Sequence, residues 1–306
     1  GLPFLDDEGK KWNYSYLDAG KQSRIFYVTA SGVVIKNFVL RNGDAGYGYG
    51  GAVYCNANEN CRIESCILGF CEADFGGATY YCDVYDSVFL ANSATRGGAM
   101  YGGNAYYTGF ANNTASDRGG AIYLRDGCTV DGCEFENNTV VDADYNDYDE
   151  DGGAIYSCAD YNIVSNSNFN NNHAGDDGGA IYNNDEYNSG LKVIHCDFRF
   201  NEADDDGGAI YTESDANTVV EDSYFWDNKA GYWGGAMCRG VAYDSSFYLN
   251  SAVINGGGMY EGEAYDCSFT WNTPNNVYGT DVYRLIKGKI TLSQSGSYFG
   301  GKTVSA

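Results

Sequence analysis

The chain has 306 residues, with 42 Asp and Glu against 18 Lys and Arg, for a formal charge of −24 and a pI near 4.1. That balance excludes the basic patches that nucleic acid or an anionic membrane surface would require, and no apolar run is long enough to insert across a bilayer. With 42 Gly, 2 Pro and no sustained 3.6-residue period, the composition opposes helices and predicts an all-β chain.

Residues 1–45 lack the repeats that follow and are expected to form an N-terminal cap and a first incomplete coil. A bare solenoid end would expose its core and an unpaired strand edge. Arg24-Ile25-Phe26-Tyr27-Val28 and Gly32-Val33-Val34-Ile35 read as short strands there. No signal peptide is read at the start.

Over residues 46–283 two motifs alternate. The first is Gly-Gly-Ala-x-Tyr, with copies starting at Gly50, Gly76, Gly97, Gly119, Gly152, Gly178, Gly207 and Gly234, the last carrying Cys238 in the Tyr place. A ninth copy reads Gly256-Gly257-Gly258-Met259-Tyr260, and a worn tenth reads Gly279-Thr280-Asp281-Val282-Tyr283. The second motif runs small-x-Phe-x-x-Asn. It occurs as Ser87-x-Phe89-x-x-Asn92, Thr108-x-Phe110-x-x-Asn113, Cys133-x-Phe135-x-x-Asn138 and Ser167-x-Phe169-x-x-Asn172. It continues at Cys196, Ser223, Ser245 and Cys267, with Asn37-x-Val39-x-x-Asn42 and Ser65-x-Ile67 as weaker members. Motif starts lie between 21 residues (Gly76 to Gly97) and 33 residues (Gly119 to Gly152) apart. A period in that range marks stacked units of one solenoid, about ten coils here, so one domain is expected despite the length.

Each coil is expected to hold a strand at Ala-x-Tyr, a strand at the Phe motif and a variable strand between them, as at Asn162-Ile163-Val164 and Thr218-Val219-Val220. The double Gly makes a bend that can take positive φ. The Asn tolerates the left-handed region, and stacked about 4.8 Å from its neighbours it can form an amide ladder. The place before the Tyr is Val53, Thr79, Met100, Ile122, Ile155, Ile181, Ile210, Met237, Met259 and Val282, mostly apolar, so it faces inward. Strand alternation then turns Tyr54, Tyr80, Tyr101, Tyr123, Tyr156, Tyr182, Tyr211 and Tyr260 outward as an aromatic stripe able to stack on the rings of a linear glycan. The alternatives are an inward ring at a corner, or Tyr serving only as a good strand former. The Phe series forms the stacked core.

Insertions at 140–151 and 183–191 are read as projecting loops of the kind that carry binding. Acidic residues gather before the double Gly: Asp74, Asp117, Glu150, Asp151, Asp176, Asp177, Asp204, Asp205 and Asp206. Aligned on stacked coils, these charges repel unless bridged. A Ca²⁺ ion would relieve this with carboxylate oxygens, and Asp142, Asp144, Asn146 and Asp149 offer a second oxygen set in the long insertion. A hydrated acidic face is the plainer alternative. Of 11 Cys, the motif cysteines Cys133, Cys196 and Cys267 are read as small buried residues. One or two disulfides are expected among Cys55, Cys61, Cys66, Cys71 and Cys82, with connectivity open. Residues 284–306 are read as closing strands, at 285–292 and 296–304.

A glycosidase needs two or three carboxylates set apart in one cleft, and no triplet stands out from the repeat. Lys192, His195 and Arg199 form the one local basic cluster and read as charge balance, and His173 as a turn residue. With 2 His, no Ser-His-Asp or Cys-His arrangement is argued. Asn112-Asn113-Thr114 and Asn137-Asn138-Thr139 are glycosylation sequons whose middle Asn belongs to the repeat.

The paired Gly-Gly-Ala-Ile and Phe-x-x-Asn motifs resemble those of the polymorphic membrane proteins of chlamydiae. They also resemble the adhesin-like surface proteins of methanogenic archaea, to which the Cys and Tyr content draws the chain closer. Residues 167–182 carry the likeness best, and it spans about residues 33–283. The resemblance implies a right-handed parallel β-helix, a pectin-lyase-like solenoid, at an extracellular cell surface. It implies adhesion to another cell, a glycan or a protein receptor, without the catalytic residues of β-helix lyases. No autotransporter barrel or wall anchor is read in these residues, which fits an excised binding region. A carbohydrate-active enzyme on the same fold and a structural stalk are the alternatives.

Overall fold

The computed structural model describes residues 14–56, 60–125, 127–141, 150–184, 190–214, 216–286, 289–294 and 302–303, with side chains up to residue 284. Among the described residues every regular element is a β-strand. The strands stack in parallel as a β-solenoid of about ten turns, the expected parallel β-helix.

The coil that begins at Gly178 stands for the rest. It contains Ile181–Asn183, Gly190–Ile194, Asp197–Arg199 and Glu202–Ala203. Like positions stack on like. Ile181 lies between Ile155 and Ile210, and Phe198 between Phe169 and Phe225. The Phe-motif strands make an 11-stranded sheet, here the phenylalanine sheet. The tyrosine strands and the variable strands share a larger sheet. The fourth strand, missed in the sequence, is two residues long in most coils and follows the pattern Asn-x-Ala, as in His173–Ala174 and Lys229–Ala230; these strands form a sheet of 8.

The double Gly is a steric requirement. Gly178 takes φ +69°, and a Cβ on Gly179 would lie 2.2 Å from the Gly208 carbonyl oxygen of the next coil. The residues before the motif Tyr are buried as expected. The Phe rings from Phe89 to Phe269 stack with centroids 4.6–5.0 Å apart. Burying each such side chain stabilises the coil by roughly 1.5–3 kcal/mol.

The amide ladder forms as expected. Asn172 Nδ2 donates to Asn201 Oδ1 (3.0 Å) and to the Phe135 carbonyl (3.1 Å), while its Oδ1 accepts from the backbone N and Nδ2 of Asn138 (3.0 Å each). The left-handed residue is not this Asn, however, but the one before it: Asn112, Asn137, Asn171, Phe200, Asp227, Leu249 and Trp271 all have φ between 53° and 58°. The motif Asn has to point its amide along the axis inside the turn, so the sharp bend falls one residue earlier.

Three registers also differ. In the early coils Leu40 and Leu68 stack below Phe89, so the repeat there reads Phe38-x-Leu40 and Cys66-x-Leu68 rather than Asn37-x-Val39 and Ser65-x-Ile67. Cys71 takes the Asn place, its N–H donating to Asn92 Oδ1 (3.0 Å). At the other end Val277 and Tyr278 continue the Met259-Tyr260 column, while Val282 and Tyr283 pair with Ala264 and Tyr265. The Gly279 segment is therefore not a tenth copy of the turn. Val277–Ile286 then pairs antiparallel with Lys289–Gln294.

Cys55 and Cys61 form a disulfide. The free thiols at Cys66, Cys71, Cys82, Cys133, Cys196 and Cys267 are buried. The small slot explains the Ser/Thr/Cys alternation. Ser167 Oγ donates to the Ser165 carbonyl (2.7 Å) and accepts from the Cys133 N–H (3.0 Å), and Cys133 Sγ lies 3.5 Å from the Asp131 carbonyl.

Candidate functional site

The tyrosine column points away from the main core, but it is not an open stripe. Tyr123, Tyr156, Tyr182 and Tyr211 are buried, in a second apolar cluster with Cys158 and Cys238. Tyr54, Tyr80, Tyr101 and Tyr260 are half-buried. The rings from Tyr54 to Tyr211 stack nearly parallel at 4.7–5.5 Å. Their faces are spent on one another, which leaves only edges and hydroxyls for a partner.

The cover comes from the residue just before each double Gly, which overlies the tyrosine of the next coil. Phe75 meets Tyr101 edge-on at 5.5 Å, the Arg118 guanidinium sits 5.1 Å over Tyr156, and Trp233 stacks on Tyr260 at 5.5 Å. Asp151 and Asp177 are the equivalent residues below Tyr182 and Tyr211. Burial first, and then these charges, push the two phenols up. Tyr182 donates to Glu213 Oε2 (2.6 Å), and Arg239 Nη1 donates to Tyr211 Oη (2.9 Å). Alternation placed the Tyr side chains correctly; what it could not supply was the neighbour that covers them.

The acidic residues divide. Asp151, Asp177 and Asp206 precede the double Gly in three successive coils and form one column, with Glu150, Asp176 and Asp205 beside it. Carboxylate oxygens of Asp151, Asp176 and Asp177 lie within 4.8 Å of one another. Asp177 Oδ1 accepts from the Asp206 N–H (2.8 Å), and Asp206 Oδ1 from the Trp233 N–H (2.9 Å). Burial, then the charge of Asp205, pushes Asp176 up to about 7. Burial, then Asp176, pushes Asp177 up to about 8, and burial pushes Asp206 up to about 6. Such a column either holds protons near neutral pH or takes a hard cation on Asp151, Asp176 and Asp177.

The other acids stand apart. Asp117 pairs with Arg96 and Arg118, and exposed Asp204 with His173 (3.2 Å). Asp142, Asp144, Asn146 and Asp149 lie outside the described residues. The basic cluster is balanced by neighbours: Lys192 by Glu221 (3.0 Å), His195 by Asp222 (3.4 Å) and Arg199 by Asp197 (Nε to Oδ1, 2.8 Å).

Open aromatic surface lies elsewhere: Tyr47, Tyr161, Tyr107 and Tyr27 are exposed, and a cluster lies along the phenylalanine sheet near its C-terminal end, in its outward columns and the turn after them. Trp271 is 68% exposed and Phe200 42%. Phe200 meets Trp226 at 5.1 Å and 51°, and Tyr248 meets Trp271 at 5.3 Å and 48°. Trp226 and Tyr248 are themselves half-buried. The signal in the sequence was a large apolar residue directly before the motif Asn, where other coils carry Asn.

Residues 110–125, 132–158 and 166–184 match the Chlamydia polymorphic membrane protein (Chlamydia_PMP) repeat. Each stretch begins within or just before a Phe motif and ends just after the next Gly-Gly-Ala-Ile-Tyr. Comparison with curated proteins and with solved structures gives no significant match.

Proposed function

We propose that this chain is a non-catalytic binding module of a cell-surface adhesin. It acts outside the cell and engages the surface of another cell through a glycan or a protein receptor. The observation that carries this reading is where the repetition goes. Gly-Gly, the inward apolar residue, Phe, the small donor and Asn are all consumed inside the coil stack. The outward side chains are therefore free to differ from coil to coil, as a recognition surface must. The three matches to a surface-protein repeat support the same reading, as does the likeness of the motifs to methanogen adhesin-like proteins.

In this reading Ca²⁺, where it binds, neutralises the Asp151–Asp176–Asp177 column and stiffens the coils. The test is binding of the intact protein to whole cells and to immobilised polysaccharides, with calcium and with chelator, while product release is followed. Saturable binding without new reducing ends or unsaturated products is expected. Released products would replace the adhesin with a carbohydrate-active enzyme, and binding to nothing would favour a stalk.

A further inference from the structure

The turn before the motif Asn has a chemical preference that four coils break. Its residue is left-handed throughout, a conformation in which Asn and Asp are tolerated and bulky side chains are sterically penalised. Coils with Asn112, Asn137, Asn171 and Asp227 follow the preference, and Ala91 keeps a small side chain there. Phe70, Phe200, Leu249 and Trp271 hold the same conformation, φ 55–58°, and keep 38%, 42%, 38% and 68% of their surface in water. Arg41 lies 4.3 Å over Phe70, and Phe200 and Trp271 rest against Trp226 and Tyr248, so folding rewards these side chains only in part, and Trp271 least. Strain kept at an exposed position points to use.

Three of the four lie together. In the parallel register Arg199, Trp226, Tyr248 and Thr270 form one outward column, and Asp197, Tyr224, Ser246 and Ser268 the next. Phe200, Leu249 and Trp271 flank them. At the N-terminal side a shallow groove of about 290 Å³ opens between Asn168, Asn170, Asp197 and Arg199. The Arg199 guanidinium also lies 5.5 Å over the Trp226 ring, which fixes it between groove and aromatic surface.

We propose that this face, from Asn168 to Trp271, binds an uncharged, hydroxyl-rich glycan laid along the coil axis. The proposal rests on the adhesin reading and names its partner. Charge narrows that chemistry. On a chain of −24, the only charges in the two outward columns from Asn168 to Thr270 are Asp197 and Arg199, and they neutralise each other; the turn after these strands adds Asp227 and the turn before them His195, Asp222, Asp244 and Asp266, so acidic edges repel an anionic glycan from the neutral strip. A basic protein would be held by these acidic edges or by the acid column rather than by the aromatic strip. The groove offers planar amide, carboxylate and guanidinium groups that can pair with vicinal hydroxyls, with Phe169 as its one apolar lining residue. The open faces of Trp271 and Phe200 are electron-rich and suit the C–H faces of sugar rings. Coils rise by about 4.8 Å, so side chains on successive coils can follow successive sugars.

The experiment uses the intact chain and Phe200→Asn/Trp271→Asn, which installs the residue other coils already use. Thermal unfolding of this variant should match or exceed that of the parent, so a loss of binding is not a loss of fold. The probes are soluble neutral β-linked glucan, mannan and xylan, with polygalacturonate as the acidic control, followed by tryptophan fluorescence and by binding to cells. The expected result is binding of a neutral glycan, weakened at least tenfold by the double substitution and unchanged by Tyr260→Phe. A double variant that binds cells or glycan like the parent overturns this surface and leaves the adhesin reading intact. Binding to cells that protease abolishes and glycan competitors leave untouched overturns the glycan in favour of a protein. No binding by the parent to any cell or glycan overturns both.

Discussion

Phe89 to Phe269 stack at 4.6–5.0 Å and Tyr54 to Tyr211 at 4.7–5.5 Å, both one ring per coil in parallel register. The phenylalanine ladder is buried along nearly its whole length. The tyrosine ladder is buried only in its middle and is interrupted at Cys238. The backbone and the stacking are the same, so the difference lies in the cover. Phe is closed in by the other walls of its own coil, whereas Tyr is covered by a turn residue from the coil below, with Cys158, Glu213, Cys238 and Arg239 added only in its middle. That residue changes from Phe75 to Arg118 to Asp151 to Trp233. A repeat can thus fix a ladder while leaving its exposure to a variable neighbour.

The comparison can be broken most forcefully at its centre. Phe169→Ala should cost about 3–5 kcal/mol, because a fully enclosed ring leaves a cavity. Tyr54→Ala should cost less, about 1–2 kcal/mol, because the ring stacks between Tyr27 and Tyr80 but is only half-buried. Denaturant midpoints of the two variants measure this, and equal losses would contradict the contrast.

A smaller effect sharpens the account of the turn column. In metal-free protein Asp176, Asp177 and Asp206 keep their protons up to about 7, 8 and 6. These folded values lie above that of an unfolded carboxyl, so the folded state binds protons more tightly. The resulting stability is full below about pH 4 and is lost as pH rises through the folded values, about 6 to 8. The melting temperature in chelator should therefore fall, by on the order of a few degrees, between pH 5 and 8.5. Asp177→Asn keeps the oxygen that accepts from the Asp206 N–H and should flatten the fall, and calcium should reverse it at pH 8. A melting temperature that stays level across that range would remove the column from the stability account.

The stacked coils were legible in the sequence because two motifs put the same interior atoms at the same place in each turn. Gly178-Gly179, Ile181, Phe169 and Asn172 each have one steric or hydrogen-bonding solution. Register slipped where neighbouring residues are all apolar: Phe38-Val39-Leu40 and Ile67-Leu68 give alternation nothing to choose between. The short Asn-x-Ala strand was hidden by its length, although the buried Ala two places after the Asn was a usable signal. The candidate site was less legible. The cover of Tyr156 is Arg118 and that of Tyr260 is Trp233, contacts set by stacking across a turn rather than by local pattern. The left-handed place was read one residue late, which hid Phe200 and Trp271 among ordinary variable positions.

The most direct test is hydroxyl-radical footprinting of the free protein, read by mass spectrometry at each aromatic residue. The account predicts fast oxidation of Trp271, Phe200 and the fully exposed Tyr47, and protection of Tyr123, Tyr156, Tyr182 and Tyr211 to the level of Phe169. Rapid oxidation along the whole tyrosine ladder, with Trp271 and Phe200 protected, would contradict it and return recognition to the tyrosines.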